Sequence, residues 1–342
     1  MRRYLTSAFI LVLIISFGTL CADVHREVVK LSERAAAGDA EAIYTLATLH
    51  DRGFDTIPVD SLLSTQLYLQ AAEAGYIPAM NYLGYRLLSG EVEAIGRDVE
   101  KGMEWLEKAA EAGDPKALSN IGWLLLEGKY VEKDYAKAAY WLSRASRQGL
   151  SVAQSMLGDL YRDGKGVPVD TAAADSLYHL AFENGLSDAA YKIEALSQAR
   201  YDTLSAEELL REGRYFYLRS APSLGVKLFY RAADMGSADA FALLGDAYTR
   251  AIGVPYDHSL SLDYYVKGAM AGNPSAQFVV GELLEIFPDA LIDLEFPDGE
   301  MPSDSPVYWF EKAAKQGYEK AQEKYDMLMQ HSGTSPAAEK KR

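Results

Sequence analysis

Apolar and small residues recur along this chain at helical spacing, and the pattern they make is itself repeated. A small pair, two further residues and a glycine stand together at Ala71-Ala72-Glu73-Ala74-Gly75, Ala109-Ala110-Glu111-Ala112-Gly113 and Ala232-Ala233-Asp234-Met235-Gly236. Variants of it end at Gly38, Gly149, Gly185, Gly272 and Gly317, so successive glycines lie 37, 38, 36, 36, 51, 36 and 45 residues apart. A period near 36 residues is that of a helix-turn-helix unit stacked on copies of itself.

Position by position, the period predicts two helices. Four residues after each glycine stands Ala (Ala42, Ala79, Ala117, Ala153, Ala189, Ala240, Ala276, Ala321) and eight after it a large side chain such as Leu46, Leu83, Ile121 or Leu157. That spacing places both on one stripe of a first helix. Nine after it comes a second glycine in five repeats (Gly84, Gly122, Gly158, Gly245, Gly281). Glycine inside a helix costs about 1 kcal/mol relative to Ala, so its recurrence predicts close approach of a neighbouring helix. Fifteen residues before the repeat-ending glycine, Asp60, Asp98, Asp134, Asp170 and Asp257 suit the N-cap of a second helix. Bulky residues follow, Trp105, Trp141 and Trp309 among them, then the Ala pair, and the glycine closes the helix in a left-handed turn. The fold class is therefore all-α, an α/α superhelical solenoid of about eight helix-turn-helix repeats.

Two intervals are long. Between Gly185 and Gly236 the first helix carries Glu194 where glycine is expected, and Ser205 to about Leu218 starts a further helix. This reads as an eroded repeat plus an extra helix that bends the solenoid or divides it into an N-terminal arm, 23–200, and a C-terminal arm, 201–330; the bland alternative is a neutral insertion. Between Gly272 and Gly317 a loop over 285–305 holds Glu285, Asp289, Asp293, Glu295, Asp298, Glu300 and Asp304 with no base. Its carboxylates lack the ligand spacing of a calcium loop, which leaves a solvated acidic segment. Residues 331–342 are polar and expected to be disordered.

These readings share a pattern: Ala-x-x-x-Leu-Gly-x-x-Tyr-x-x-Gly, a short loop with Val and Asp, then small-x-x-Trp-x-x-x-Ala-Ala-x-x-Gly. It resembles the Sel-one-like repeat, a relative of the tetratricopeptide repeat, over roughly residues 30 to 330. The clearest copy runs from Ala153 to Gly185, with Leu157-Gly158, Tyr161, Gly164-Lys165-Gly166-Val167 and Asp170. What the resemblance implies is a scaffold or adaptor. Some bacterial relatives are secreted, tied by a disulfide in each repeat and linked to penicillin binding. Their cysteines are missing here.

The start of the chain adds a location. Arg2 and Arg3 precede an uncharged apolar run from Tyr4 to Leu20, the n-region and h-region of a secretory signal peptide over 1–22. The alternatives are a retained anchor, since the run is just long enough to cross a bilayer, and lipidation at Cys21, for which Leu20 is the wrong neighbour. Cys21 is the single cysteine, so no intrachain disulfide forms and the fold rests on buried apolar surface. Removing Arg2 and Arg3 takes the formal charge from −15 to −17, which repels phosphate backbones and anionic lipid surfaces. Nucleic acid is excluded as a partner, and a membrane is expected only through an uncleaved or lipidated N-terminus. The expected location is secreted, periplasmic or cell-envelope.

Catalytic signals are sparse. The stretch from Gly158 to Gly166 has five residues between its glycines, no hydroxyl after the lysine and no preceding strand, unlike a phosphate-binding loop. His25, His50, His179, His258 and His331 are dispersed, and neither Gly-x-Ser-x-Gly nor Ser-x-x-Lys occurs. No catalytic residue, cofactor or metal site is predicted. The face of the first helices opposite the Ala/Leu stripe instead forms a candidate partner-binding groove: Tyr44, Thr48 and Arg52; Asn81, Tyr82 and Tyr85; Lys116, Asn120, Trp123 and Glu127; Asp159; Asp246. Tyr82, Tyr85 and Trp123 are expected to form an aromatic platform, the residue types that dominate interface hot spots; the bland alternative is that some of these side chains pack under the next helix. Three readings remain: a non-catalytic adaptor for a protein or peptide, an envelope enzyme or glycan binder acting on cell-wall material, and self-association through an open solenoid end.

Overall fold

The computed structural model describes residues 26–54, 57–90, 96–291 and 303–331. The leader, much of the acidic loop and residues 332–342 lie outside the described residues. Among those described, the only pairing of extended backbone is one isolated bridge, Phe54 with Ile57; the rest is helix and connection.

The chain divides into two units at Leu186/Ser187. In the first, helix α1 (26–36) precedes four hairpins: α2 (Ala40–Arg52) with α3 (Ser61–Glu73), α4 (Ile77–Ser89) with α5 (Val99–Glu111), α6 (Pro115–Glu127) with α7 (Tyr135–Arg147), and α8 (Ser151–Asp163) with α9 (Thr171–Glu183). Each second helix also packs on the first helix of the next hairpin, as α3 does on α4 and α5 on α6. The second unit contains α10 (Ala189–Tyr201), then the hairpins α11 (Ala206–Tyr217) with α12 (Pro222–Asp234), α13 (Ala238–Arg250) with α14 (His258–Met270), and α15 (Pro274–Ile286) with α16 (Pro306–Lys315), and ends in α17 (Glu319–His331). None of the described helices is long and apolar enough to cross a membrane.

Local chemistry explains the regularity. All five predicted aspartates cap a second helix, Asp60 accepting from Leu63, Asp98 from Lys101, Asp134 from Lys137, Asp170 from Ala173 and Asp257 from Leu260. Each satisfies a backbone N–H that has no partner in the helix, an effect of about 1 kcal/mol. The eight repeat-ending glycines have φ between 81° and 99°, a region closed to most side chains. The mid-helix glycines are sites of close approach. A Cβ on Gly122 would stand 2.6 Å from Leu142, one on Gly158 2.6 Å from the Tyr178 ring and one on Gly245 2.8 Å from the Tyr265 ring. In these hairpins the large side chain seven residues before the closing glycine thus lies over the missing Cβ of its partner helix. Around this contact sits an apolar layer, with Leu106, Ile121, Leu142 and Leu118 fully buried in the first unit and Phe229, Leu244 and Phe310 in the second.

The long interval before Gly236 resolves differently from the sequence expectation. The helix starting at Ser205 is not an addition; α11 pairs with α12 as a full hairpin, with Gly213 pressed against Phe229, where a Cβ would meet the ring at 2.7 Å. The added helix is α10, which carries Glu194 and joins α12 through the ion pair of that residue with Lys227 at 2.7 Å. The acidic segment also starts later than expected. Glu285 belongs to α15 and is paired with Lys324 of α17 at 2.7 Å.

Candidate functional site

Three successive first helices, α2, α4 and α6, bring one side together in the first unit. Their stripe of Ala and Leu faces the core, so the residues three, six, seven and ten places after each glycine are left on the other side. Tyr44 of α2, Asn81, Tyr82 and Tyr85 of α4, and Lys116 and Asn120 of α6 line one cavity of about 370 Å³. Pro78 and Asp114 complete its wall. Asp114 is also the N-cap of α6, accepting from the backbone of Lys116 and Ala117.

The aromatic side of the cavity is held from behind. Tyr68 of α3 is 2% exposed and its ring lies 5.4 Å from that of Tyr44 and 4.3 Å from that of Tyr82. Its hydroxyl donates to Thr48 Oγ1 at 3.1 Å. The Tyr82 hydroxyl donates to Asp51 Oδ2 at 2.6 Å and accepts from Arg86 Nη1 at 2.7 Å, while Arg86 also pairs with Asp51. Burial pushes the Tyr82 hydroxyl up, and its bond to Asp51 adds to this, so it stays protonated and donates. Burial opposes charge on Asp51, but hydrogen bonds from Tyr82 and Arg86 and the guanidinium charge outweigh it and hold the carboxyl below its ordinary value. Arg86 Nε is buried without a partner among the described residues. Tyr82 is therefore fixed by the scaffold, whereas Tyr85 makes no hydrogen bond among the described residues. Across the cavity, Asn120 Nδ2 donates to Asn81 Oδ1 at 2.9 Å and joins two repeats.

The remaining predicted residues do not meet here. Trp123, expected beside Tyr82 and Tyr85, packs against the apolar core around Leu118 and Ile121 and does not line the cavity. Its ring finds more apolar surface inward than along the open face. Thr48 is occupied by Tyr68, Asp159 accepts from Tyr178 at 2.8 Å, and Asp246 is paired with Arg250 at 2.8 Å. In α2 and α8 the position ten after the glycine thus anchors a tyrosine of the paired helix. Arg52 and Glu127 are exposed at the ends of α2 and α6. Sequence reasoning missed Pro78, Asp114 and the Asp51–Arg86 pair; the signal for the last was an acid and a base 35 residues apart, about one repeat.

The lining supplies phenol rings, a proline ring, carboxamides, one lysine and one carboxylate, which suits hydrogen bonding and apolar contact. Among the described residues no group of His, Cys, Asp or Glu is placed to hold a metal ion. Seven segments of the chain, 40–76, 77–114, 115–150, 151–186, 206–237, 238–273 and 307–318, match the Sel1 repeat and together cover more than half of it. The chain belongs to the Sel1 repeat family. The first four Sel1 repeats begin at the first residues of α2, α4, α6 and α8, and the segment holding α10 falls between repeats.

Among curated proteins, a chitin synthase regulator of Saccharomyces cerevisiae is 33% identical over 102 residues, 30% of this chain and 15% of that protein. Chitin synthase regulatory factor 4 of Schizosaccharomyces pombe is 24% identical over 306 residues, 87% of this chain and 45% of that protein. The chain spans less than half the length of either relative. Similar solved structures include a protective antigen of uropathogenic Escherichia coli with an SLR fold (26% identity, TM-score 0.47, covering 88% of this chain and 59% of that one). A Sel1 repeat protein from Oxalobacter formigenes is 23% identical with a TM-score of 0.40, over 89% of this chain and 80% of its own. Sel1 repeats generally mediate protein–protein interaction, and this chain is built as such a scaffold.

Proposed function

We propose that this Sel1 repeat protein is a non-catalytic adaptor that holds a segment of another protein in the α2/α4/α6 cavity, and that it works outside the cytoplasm. The observation that carries the reading is the cavity itself: residues from three successive repeats converge on it, and its lining is amphipathic in the way peptide grooves are, apolar rings beside a few placed polar groups. Both curated relatives are named as regulators of another protein, chitin synthase, which agrees with repeats that act on a partner. The extracytoplasmic part rests on the leader in the sequence, Arg2-Arg3 followed by the apolar run to Leu20.

A library of short linear peptides displayed on phage tests the binding reading. The immobilised protein should enrich peptides that a Tyr85→Ala/Asn120→Ala variant with an unchanged unfolding curve binds at least tenfold more weakly. Equal binding by the two removes this site. For the location, the mass of the protein recovered from its native cells should correspond to a chain starting near Asp23 and found outside the cytoplasm; an intact cytoplasmic chain contradicts it.

A further inference from the structure

The outer side of α7 differs from those of the second helices in the neighbouring repeats. Lys137, Tyr140, Arg144 and Arg147 are spaced to share one side of α7. The same four places on α5, counted back from Gly113, hold Lys101, Glu104, Lys108 and Glu111, and on α9, counted back from Gly185, Ala173, Ser176, Leu180 and Glu183. The α5 stripe neutralises itself: Lys108 pairs with Glu104 at 2.7 Å and Lys101 with Asp98 at 3.4 Å. On α7 a tyrosine takes the place of Glu104 and an arginine that of Glu111, and the helix contains no acid. Lys137 still pairs with the capping Asp134, at 3.4 Å. Among the described residues Arg144 and Arg147 pair with no carboxylate, although acids outnumber Lys and Arg in the chain by 49 to 34. The helix dipole favours bases in a last turn, yet α3, α5 and α9 close on Glu73, Glu111 and Glu183, so the fold does not require them.

Arg144 is also held in place. Its guanidinium lies 5.0 Å from the Trp141 ring and 5.8 Å from the Tyr140 ring, and the two rings meet edge-on with centres 5.3 Å apart. One of its amino groups reaches the Ala110 carbonyl at 3.4 Å, which leaves most of its five N–H donors unused. Arg147 is exposed, and Tyr140 is exposed by 58%. Two arginines three residues apart stand about 5–6 Å from one another at Cβ, and with a phenol ring beside them they complement a pair of carboxylates. A helix of 13 residues is about 20 Å long, so the surface suits a short acidic segment. A long polyanion would run on over α5, with four Glu against two Lys, and α9, with Asp175 and Glu183 and neither Lys nor Arg, and be repelled by both.

We propose that the outer side of α7 is a docking surface for a carboxylate-rich segment of a partner protein, with Arg144 and Arg147 taking its carboxylates and Tyr140 lying against its apolar atoms. The surface belongs to a different helix from the α2/α4/α6 cavity, and it stands whether or not that cavity binds a protein segment.

A short fluorescein-labelled oligoglutamate, followed by anisotropy at low salt, is the probe. Wild type should bind it, and Arg144→Gln/Arg147→Gln should bind it at least tenfold more weakly. Lys101→Gln/Lys108→Gln removes the same charge from the matching stripe of α5, where both bases already have partners, and should bind as wild type does. Should the arginine double variant melt lower than wild type, Arg147→Gln alone decides, because that side chain is exposed: a loss of about threefold or more supports the surface, and unchanged binding overturns it. Absence of binding by wild type overturns the proposal. Equal losses in the two double variants also overturn it, since net charge alone then governs. Oligothymidylate of matched charge, or vesicles containing phosphatidylserine, binding as tightly as oligoglutamate with the same dependence on the two arginines overturns the choice of an acidic protein segment.

Discussion

The first helices α4 and α6 and the first helices α13 and α15 occupy the same place in their repeats, yet their outer faces are used in opposite ways. Six and seven residues after the glycine, α4 carries Asn81 and Tyr82, and α6 carries Asn120 at the seventh. The corresponding residues in the second unit are Ala242 and Leu243, then Phe278 and Val279. Ala242 and Phe278 are buried, and Phe278 packs against Phe310 and Tyr318 with ring centres 5.7 and 5.3 Å away. One scaffold thus leaves a hydrogen-bonding cavity in the first unit and spends the same position on core packing in the second. The repeat fixes where a side chain stands; at the sixth position Asn81 opens on the cavity, whereas Ser119, Ala242 and Phe278 are buried.

The largest effect expected from this contrast is at the shared sixth position. Phe278→Ala should lower stability by about 3 kcal/mol, as truncation of a buried aromatic does, whereas Asn81→Ala should cost less than about 1 kcal/mol, the worth of one ordinary hydrogen bond. Urea unfolding of the two variants measures this, and similar losses would erase the distinction. Next comes the feature the two units share. Gly122→Val and Gly245→Val should each cost about 2 kcal/mol by overpacking against Leu142 and Tyr265, and hydrogen exchange should show the loosening in the unit that bears the substitution.

A smaller effect belongs to the support behind the cavity. Because the folded state holds the Asp51 carboxyl below its ordinary value, its contribution is complete above the unfolded value, about 3.9, and is lost as pH falls through the lower folded value. Asp51→Asn should cost about 1 kcal/mol at neutral pH, and its difference from wild type should shrink as pH is lowered below about 4. Unfolding curves at a series of acidic pH values check this; a difference that stays constant would mean that the carboxylate charge is not what matters. The least effect is expected from Lys116→Ala, which is exposed and should leave stability within about 0.5 kcal/mol of wild type.

Much of this was legible in the sequence because the repeat confines each residue type to a structural duty. Asp60, Asp98 and Asp134 cap helices, and Gly122, Gly158 and Gly245 admit Leu142, Tyr178 and Tyr265, since spacing alone places them. The position of the added helix was not legible. Gly213 lies 23 residues before its closing glycine where Gly122, Gly158 and Gly245 lie 27 before theirs, because the turn between α11 and α12 is shorter. That shift hides α11 from a search at fixed spacing. The cavity was legible as a face but not as a site. Spacing put Tyr44, Asn81, Tyr85 and Asn120 on one side, yet nothing in it distinguished Trp123, which turns to the core, Asp159, which holds Tyr178, or Asp246, which pairs with Arg250. Those outcomes depend on which side chain stands opposite, 19 residues away in the paired helix for Asp159 and one turn away in the same helix for Asp246.

Photo-crosslinking from the two units in native cells tests the central claim most directly. A benzoylphenylalanine replacing Tyr85 sits in the cavity of the first unit, and one replacing Tyr256, 64% exposed, samples the second. The account predicts an adduct with a second protein from position 85, abolished by Asn120→Leu, and none from position 256. An adduct from position 256 with none from position 85 would contradict it.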